Sequence, residues 1–136
     1  MDLKTKVLRV LAQEQIGVLA TIRDNKPHSS FMMLFHEDVT LYVAADRQSK
    51  KVTDIKKNNH VHVLVGSTNN SWNEPFVEIE GTASLEDNET LKHKFWNDAL
   101  HHWLQGPDDP NYVLVKITPV HIYLAEKAGT PEKLSL

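Results

Sequence analysis

Along most of this chain, apolar residues recur on every second position, in short runs cut by turn-forming residues. Period-two alternation is the signature of pleated strands, because successive side chains of a strand point to opposite faces. Ile16, Val18, Ala20 and Ile22 make the first run. Asp24 to Pro27 supplies turn chemistry, and His28 to Phe35 then follows as the other arm of a hairpin. His36, Glu37 and Asp38 lead into a third strand, Thr40 to Ala45. His60 to Val65 reads as a fourth, and Phe76 to Leu85 as a fifth with Val77 and Ile79 inward. Tyr112 to Leu124 is the sixth, carrying Val113, Val115 and Ile117, with Pro119 at a bulge or an edge. Short connections between successive strands predict antiparallel neighbours. The fold class is therefore mainly β, a six-stranded antiparallel barrel with peripheral helices.

The helical segments read as covers for this barrel. Leu3, Val7, Val10 and Leu11 share one side of a helix within residues 1–14, which forms a lid on the core. Ser49 has the chemistry of an N-cap for a short helix that faces Val52 and Ile55 inward and ends near Asn58 and Asn59. Leu91, Phe95, Ala99 and Trp103 lie on one stripe of a third helix, opened by Asp87 or Asn88 and closed by Gly106 and Pro107. Residues 126–136 are expected to form a loose tail. The chain, 136 residues long, holds one substantial core, so it reads as a single domain over 1–136 with any large site placed between subunits.

Composition narrows the functions. A net charge of -3 provides no broad positive field to attract nucleic acid or an anionic membrane surface, so neither is expected as a partner. Cysteine is absent, which removes disulfides, thiolate metal ligands and cysteine nucleophiles, and redox chemistry would need a borrowed cofactor. Met1 to Gln15 mixes Lys4, Lys6 and Arg9 with spaced apolar residues, and the chain is read as cytoplasmic. There are eight histidines, among them His60 and His62 on one strand face and His101 and His102 at a helix end. Paired positions do not supply the three or four convergent ligands of a zinc site, and no metal is expected. Asn69-Asn70-Ser71 fits a glycosylation triplet that a cytoplasmic chain does not use.

The sharpest chemical feature is Ser49-Lys50-Lys51, directly after a strand and at the start of a helix. Helix starts present unpaired N–H groups and partial positive charge, the setting of an anion site, and Arg47 can reinforce it. The same lysines, with Lys56 and Lys57, equally fit a solvated basic face.

Several segments, in order, resemble one family. They are Ile16-Gly17-Val18-Leu19-Ala20-Thr21, Lys26-Pro27-His28-Ser29, Leu41-Tyr42-Val43-Ala44-Ala45, Ser49-Lys50-Lys51, Val77-Glu78-Ile79-Glu80-Gly81-Thr82-Ala83 and Lys116-Ile117-Thr118-Pro119. The set is similar to the pyridoxamine 5'-phosphate oxidase-like split barrels. Gly106-Pro107-Asp108-Asp109-Pro110 adds a likeness to the short bacterial general stress protein 26 branch.

That resemblance implies a split-barrel homodimer with flavin mononucleotide (FMN) in clefts between the subunits. It places Ser29, Ser30, Phe31, Met32 and Met33 along the flavin, with Leu34 closing the run, and Ala44 and Ala45 beside it. Ser49, Lys50 and Lys51 match the family's Ser-Arg-Lys phosphate grip, with Lys in place of Arg in the middle. A Met-rich strand beside alanines suits a flat ring, while Phe31, Met32 and Met33 fit plain core packing equally well. Phe76 stands where relatives offer the flavin a polar side chain.

The family's oxidases carry a basic residue at the end of the second strand and an Arg-x-His element near the C-terminus, both used on substrate. Leu34 takes the first place, and nothing after Tyr123 supplies the second, so oxidation of vitamin B6 is not expected. The resemblance implies an FMN-binding flavoprotein, an oxidoreductase exchanging electrons with an unidentified small donor or acceptor. Its alternatives are a non-catalytic flavin-binding stress or sensor protein, or a haem (through His28 or His121) or deazaflavin binder. Catalytic residues are unassigned, and the proton relay is expected to be water or a residue contributed by the second subunit, such as Tyr112 or Trp72.

Overall fold

The computed structural model describes residues 1–67, 72–126 and 129–136. Asn69-Asn70-Ser71 lies outside them. All six expected strands are present: β1 (Ile16–Arg23), β2 (Lys26–Glu37), β3 (Thr40–Asp46), β4 (His60–Gly66), β5 (Phe76–Glu86) and β6 (Tyr112–Ala125). Each neighbouring pair is antiparallel, and the ring β3-β2-β1-β4-β5-β6 closes through pairing of β6 with β3. Closure removes most exposed sheet edges, apart from the stretch where β2 and β3 part. At the β1–β2 turn Asp24 and Asn25 both take positive φ, 51° and 67°. A two-residue hairpin needs that geometry to match strand twist, and Asp and Asn tolerate it.

Pro119 sits at a register shift. Gly81 opposes Pro119 while Glu80 opposes His121, leaving Val120 as the extra residue of a bulge. The β3 ladder ends at Ile117 and the next ladder on that edge begins at Ile122, so neither asks for the N–H that Pro119 lacks. Gly81 is required here: a Cβ would lie 2.7 Å from the Thr118 carbonyl oxygen.

The barrel interior is one apolar cluster that includes Leu19, Leu41, Val43, Val63, Ile79, Val113, Val115 and Ile117. Helix α1 (Leu3–Gln13), capped by Asp2 accepting from the Thr5 N–H at 2.8 Å, adds Val7, Val10 and Leu11. Helix α2 (Lys50–Lys57) adds Val52 and Ile55. A second cluster lies outside β3 and β6, where Tyr42, Ala44, Tyr112 and Leu114 meet Phe95, Leu100 and Leu104.

Two expectations need correction, at the third helix and in the tail, and the alternation on β1 acquires a direction. On β1 the buried set is Gly17, Leu19 and Thr21, so Ile16, Val18, Ala20 and Ile22 face outward. Both faces of this strand are largely apolar, and alternation alone does not say which one is inside. The third helix is not continuous. Helix α3 (Glu89–Lys94) stops at Phe95, and a 3-10 turn, Asp98–His102, follows after Asn97, whose side chain accepts from the Ala99 N–H at 2.8 Å. Asn offers the backbone a local cap that competes with helix propagation. The tail also contains β7 (Glu132–Leu134), antiparallel to β6 from Ile122 to Leu124. Among the described residues, no helix is long and apolar enough to cross a membrane.

Candidate functional site

The barrel divides where the β2–β3 ladder ends, at Leu34 opposite Val43. Beyond that pair β2 continues with β1, from Met33 opposite Ile16 to Lys26 opposite Arg23. Strand β3 continues with β6, from Ala44 opposite Leu114 to Asp46 opposite Tyr112. The edges of residues 30–33 and 44–46 that look toward each other therefore have no strand partner. A cleft of about 630 Å³ opens at this fork, a size within the ordinary range of small-molecule sites.

Strand β2 supplies Ser30, Phe31, Met32 and Met33 to the cleft, β3 supplies Ala44, Ala45 and Asp46, and the start of α2 supplies Ser49 and Lys51. Leu100, His102, Trp103 and Leu104 form the remaining wall. Eight of the ten residues expected beside a cofactor thus come together. Ser29 and Lys50 do not line this cleft. Ser29 lies one residue further along the exposed end of β2. Lys50 borders a separate pocket of about 530 Å³ with Arg23, Asp24, Gln48, Thr53, Asp54 and Lys57. Consecutive helix residues diverge by about 100°, so adjacent lysines serve different faces.

Ser49 is the N-cap of α2, with its Oγ accepting from the Val52 N–H at 3.4 Å and its own N–H donating to the Asp46 carbonyl at 3.0 Å. Asp46 Oδ1 accepts from the Gln48 N–H at 2.8 Å, which fixes the corner between β3 and α2. Lys51 reaches inward, its Nζ donating to Met32 Sδ at 2.9 Å, and Ser30 Oγ lies 3.7 Å from the same sulfur. A thioether is a weak acceptor and carries no charge. Burial holds the Lys51 ammonium below its ordinary pKa, and among the described residues no carboxylate pairs with it. A half-buried ammonium at a helix start, facing an apolar cleft, is a seat for an anion.

Arg47 does not join this seat. Its Nη1 donates to Asp87 Oδ2 at 3.2 Å, Nη2 pairs with Asp87 Oδ1, and Nε donates to the Pro110 carbonyl at 3.4 Å. Leu34 is buried in the barrel core and is not part of the cleft. Tyr112 is fully buried, its hydroxyl donating to the Lys92 carbonyl at 2.8 Å and its pKa pushed up by burial to about 12, so it is removed as a proton relay at the cleft. Trp72 is exposed and lies outside the cleft of its own chain. His62 faces Glu78 at 3.8 Å, and among the described residues no group of three or more His, Asp or Glu is placed to hold a metal ion.

Sequence reasoning missed Asp46, Leu100, His102, Trp103 and Leu104. The break at Asn97 explains the last four, because it moves the buried stripe from Ala99 and Trp103 to Leu100 and Leu104. Asn97-Asp98 is itself a capping signal within the supposed helix.

The fold agrees with what this chain is similar to. The family model for pyridoxamine 5'-phosphate oxidase matches residues 3–125. General stress protein 26 of Bacillus subtilis (strain 168) is 38% identical over 135 residues, covering 99% of this chain and 96% of that protein. The crystal structure of general stress protein 26 from Bacillus anthracis str. Sterne superposes with a TM-score of 0.92 at 53% identity, covering 100% of both chains. A FAD-binding protein from Mesorhizobium loti shares the fold at 18% identity, with a TM-score of 0.72 over 91% of this chain and 94% of its own. The chain belongs to the pyridoxamine 5'-phosphate oxidase family, in its general stress protein 26 branch.

Proposed function

We propose that the cleft at the β2–β3 fork binds flavin mononucleotide and that the protein acts as a flavin-dependent oxidoreductase on a small substrate. The observation that carries this reading is the Lys51 ammonium, held in a largely apolar cleft with only a thioether as partner. A phosphate would provide the charge that Met32 does not. The residues present fit the cofactor in three respects: an ammonium and a hydroxyl at a helix start, a wall of Met32, Met33, Ala44 and Ala45 for a planar ring, and unpaired strand edges for ring polar groups. When bound, flavin would supply the capacity to exchange electrons with a small partner. The chain's own part is to hold the phosphate through Lys51 and Ser49, to orient the ring against β2 and β3, and to exclude water with Leu100 and Leu104.

A homodimer belongs to the same proposal. Leu64 of β4, Val18 of β1 and Phe31 of β2 stand directly opposite one another across three strands, on the outer face of the barrel. Phe31 is 80% exposed. An apolar row of this kind is ordinarily covered by a partner. Phe31 also lines the cleft, so a partner seated there would border the cofactor.

The test is titration of the purified chain with flavin mononucleotide, followed by addition of a reduced nicotinamide. Binding with bleaching of the flavin absorbance is the expected result. Binding without bleaching by any electron donor would reduce the function to flavin holding or sensing. No uptake, or a red haem preparation, would overturn the proposal. Leu64→Glu should shift the dimer to monomer by light scattering.

A further inference from the structure

We infer that Trp103 is a specificity-determining wall of the cleft, receiving the flat face of an uncharged aromatic reaction partner. This rests on the reading of the cleft as a flavin site and adds to it the chemical class of the second molecule. The neighbours of Trp103 in the chain are fixed. Leu100 and Leu104 are 3% and 4% exposed in the cluster outside β3 and β6, and the N–H groups of Trp103 and Leu104 donate to the Leu100 carbonyl at 3.0 and 2.8 Å. Between these anchors Trp103 itself is 69% exposed and borders the cleft. An indole left in water on a backbone this well tethered is not a frayed loop residue. It is a preorganised apolar platform at the cleft whose face the described residues of its own chain leave largely uncovered.

The helix break creates that platform. A continuous helix would have carried Trp103 on the same stripe as Leu91 and Phe95, buried against the barrel. The cap at Asn97 instead places Leu100 and Leu104 inward and turns Trp103 to the cleft. His102, whose ring meets that of Trp103 edge-on with centroids 5.7 Å apart, lines the same wall. The charge in the cleft limits what can stack there. Lys51 is its only ammonium or guanidinium among the described residues, and the cofactor phosphate would take it up. Asp46 adds a carboxylate to the same cavity. A second phosphate finds no fixed cation, whereas a neutral planar ring needs none.

Menadione, an uncharged naphthoquinone, serves as the probe and pyridoxamine 5'-phosphate as its anionic counterpart. Titrated with menadione, the chain should lose the tryptophan emission of one of its three indoles, and Trp103→Phe should show no such loss. In the flavin-loaded protein, Trp103→Ala should weaken menadione binding about tenfold, equivalent to ~1.4 kcal/mol, and Trp103→Phe should restore it. Once flavin occupies Lys51, pyridoxamine 5'-phosphate should not bind beside it. Unchanged menadione affinity in Trp103→Ala, or binding of the phosphate compound to the flavin-loaded protein as tight as that of menadione, would overturn the inference while flavin binding still stands. Failure to take up flavin would instead strike the proposed function, and the emission titration on the flavin-free chain would still decide the role of Trp103.

Discussion

Two pockets flank the start of α2, similar in size and opposite in character. The one behind Lys50 gathers Arg23, Lys50 and Lys57, yet its buried carboxylate is answered: Arg23 Nε lies 2.9 Å and 3.2 Å from the two oxygens of Asp54, and Nη2 lies 2.9 Å from Oδ2. The one in front of Lys51 holds a single ammonium and has an apolar wall. More cationic groups border the first pocket, but Arg23 there is paired and Lys50 and Lys57 are exposed to water, whereas Lys51 in the second is partly withdrawn from water without a charged partner. Cation count is thus a poor guide to an anion site. A charge withdrawn from water without a partner costs free energy, and such a cost is retained where a ligand repays it.

That contrast is open to direct attack. Lys51→Ala should lower affinity for flavin mononucleotide by about 1.5–3 kcal/mol, the scale of a hydrogen bond to a charged group. Lys50→Ala should change it by less than ~0.5 kcal/mol, as an exposed charge does. Equal losses in calorimetric titration would show that both pockets, or neither, hold the phosphate. Ser49→Ala should cost about 1 kcal/mol of stability through loss of the N-cap, measured by denaturant unfolding. It should also weaken flavin binding more than Lys50→Ala does.

The pH dependence tests the same asymmetry. Burial lowers the Lys51 pKa below 10.5, so the folded, flavin-free chain sheds this proton before the unfolded chain does. Between the lowered value and 10.5 the unfolded state binds more protons, and the Lys51 contribution to stability rises with pH across that window. Flavin affinity should run the other way, falling as pH climbs through the lowered pKa, because the phosphate needs the ammonium. Titrations across alkaline pH should show proton uptake on binding, and Lys51→Ala should abolish it. The smallest effect on binding belongs to Asp54→Asn. It should lower the melting temperature by disrupting the pair with Arg23 and leave flavin affinity within error.

Much of the barrel was legible because period-two patterning and turn residues are local signals. Asp24-Asn25, Pro119 and the Ser49 cap behave as their chemistry dictates. The site was legible along β2, β3 and the start of α2, where contiguous residues share one environment. It was not legible at Leu100, His102, Trp103 and Leu104, because a single capping side chain, Asn97, rotates everything after it. Nor did alternation reveal that Ile16, Val18, Ala20 and Ile22 lie on the outside, since both faces of β1 are largely apolar.

The sequence by itself determined the six strands of the barrel, their antiparallel order, the family and a Ser-Lys-Lys set at a helix start whose chemistry suits an anion. Only the tertiary structure decided which lysine carries that chemistry, and that Arg47 belongs to Asp87. The reason is that charge and hydrogen-bonding type are properties of a residue, whereas being unanswered is a property of its surroundings. Helix geometry sends Lys50 and Lys51 to different surroundings, and the fork between β2 and β3 gives one of them a cleft to face.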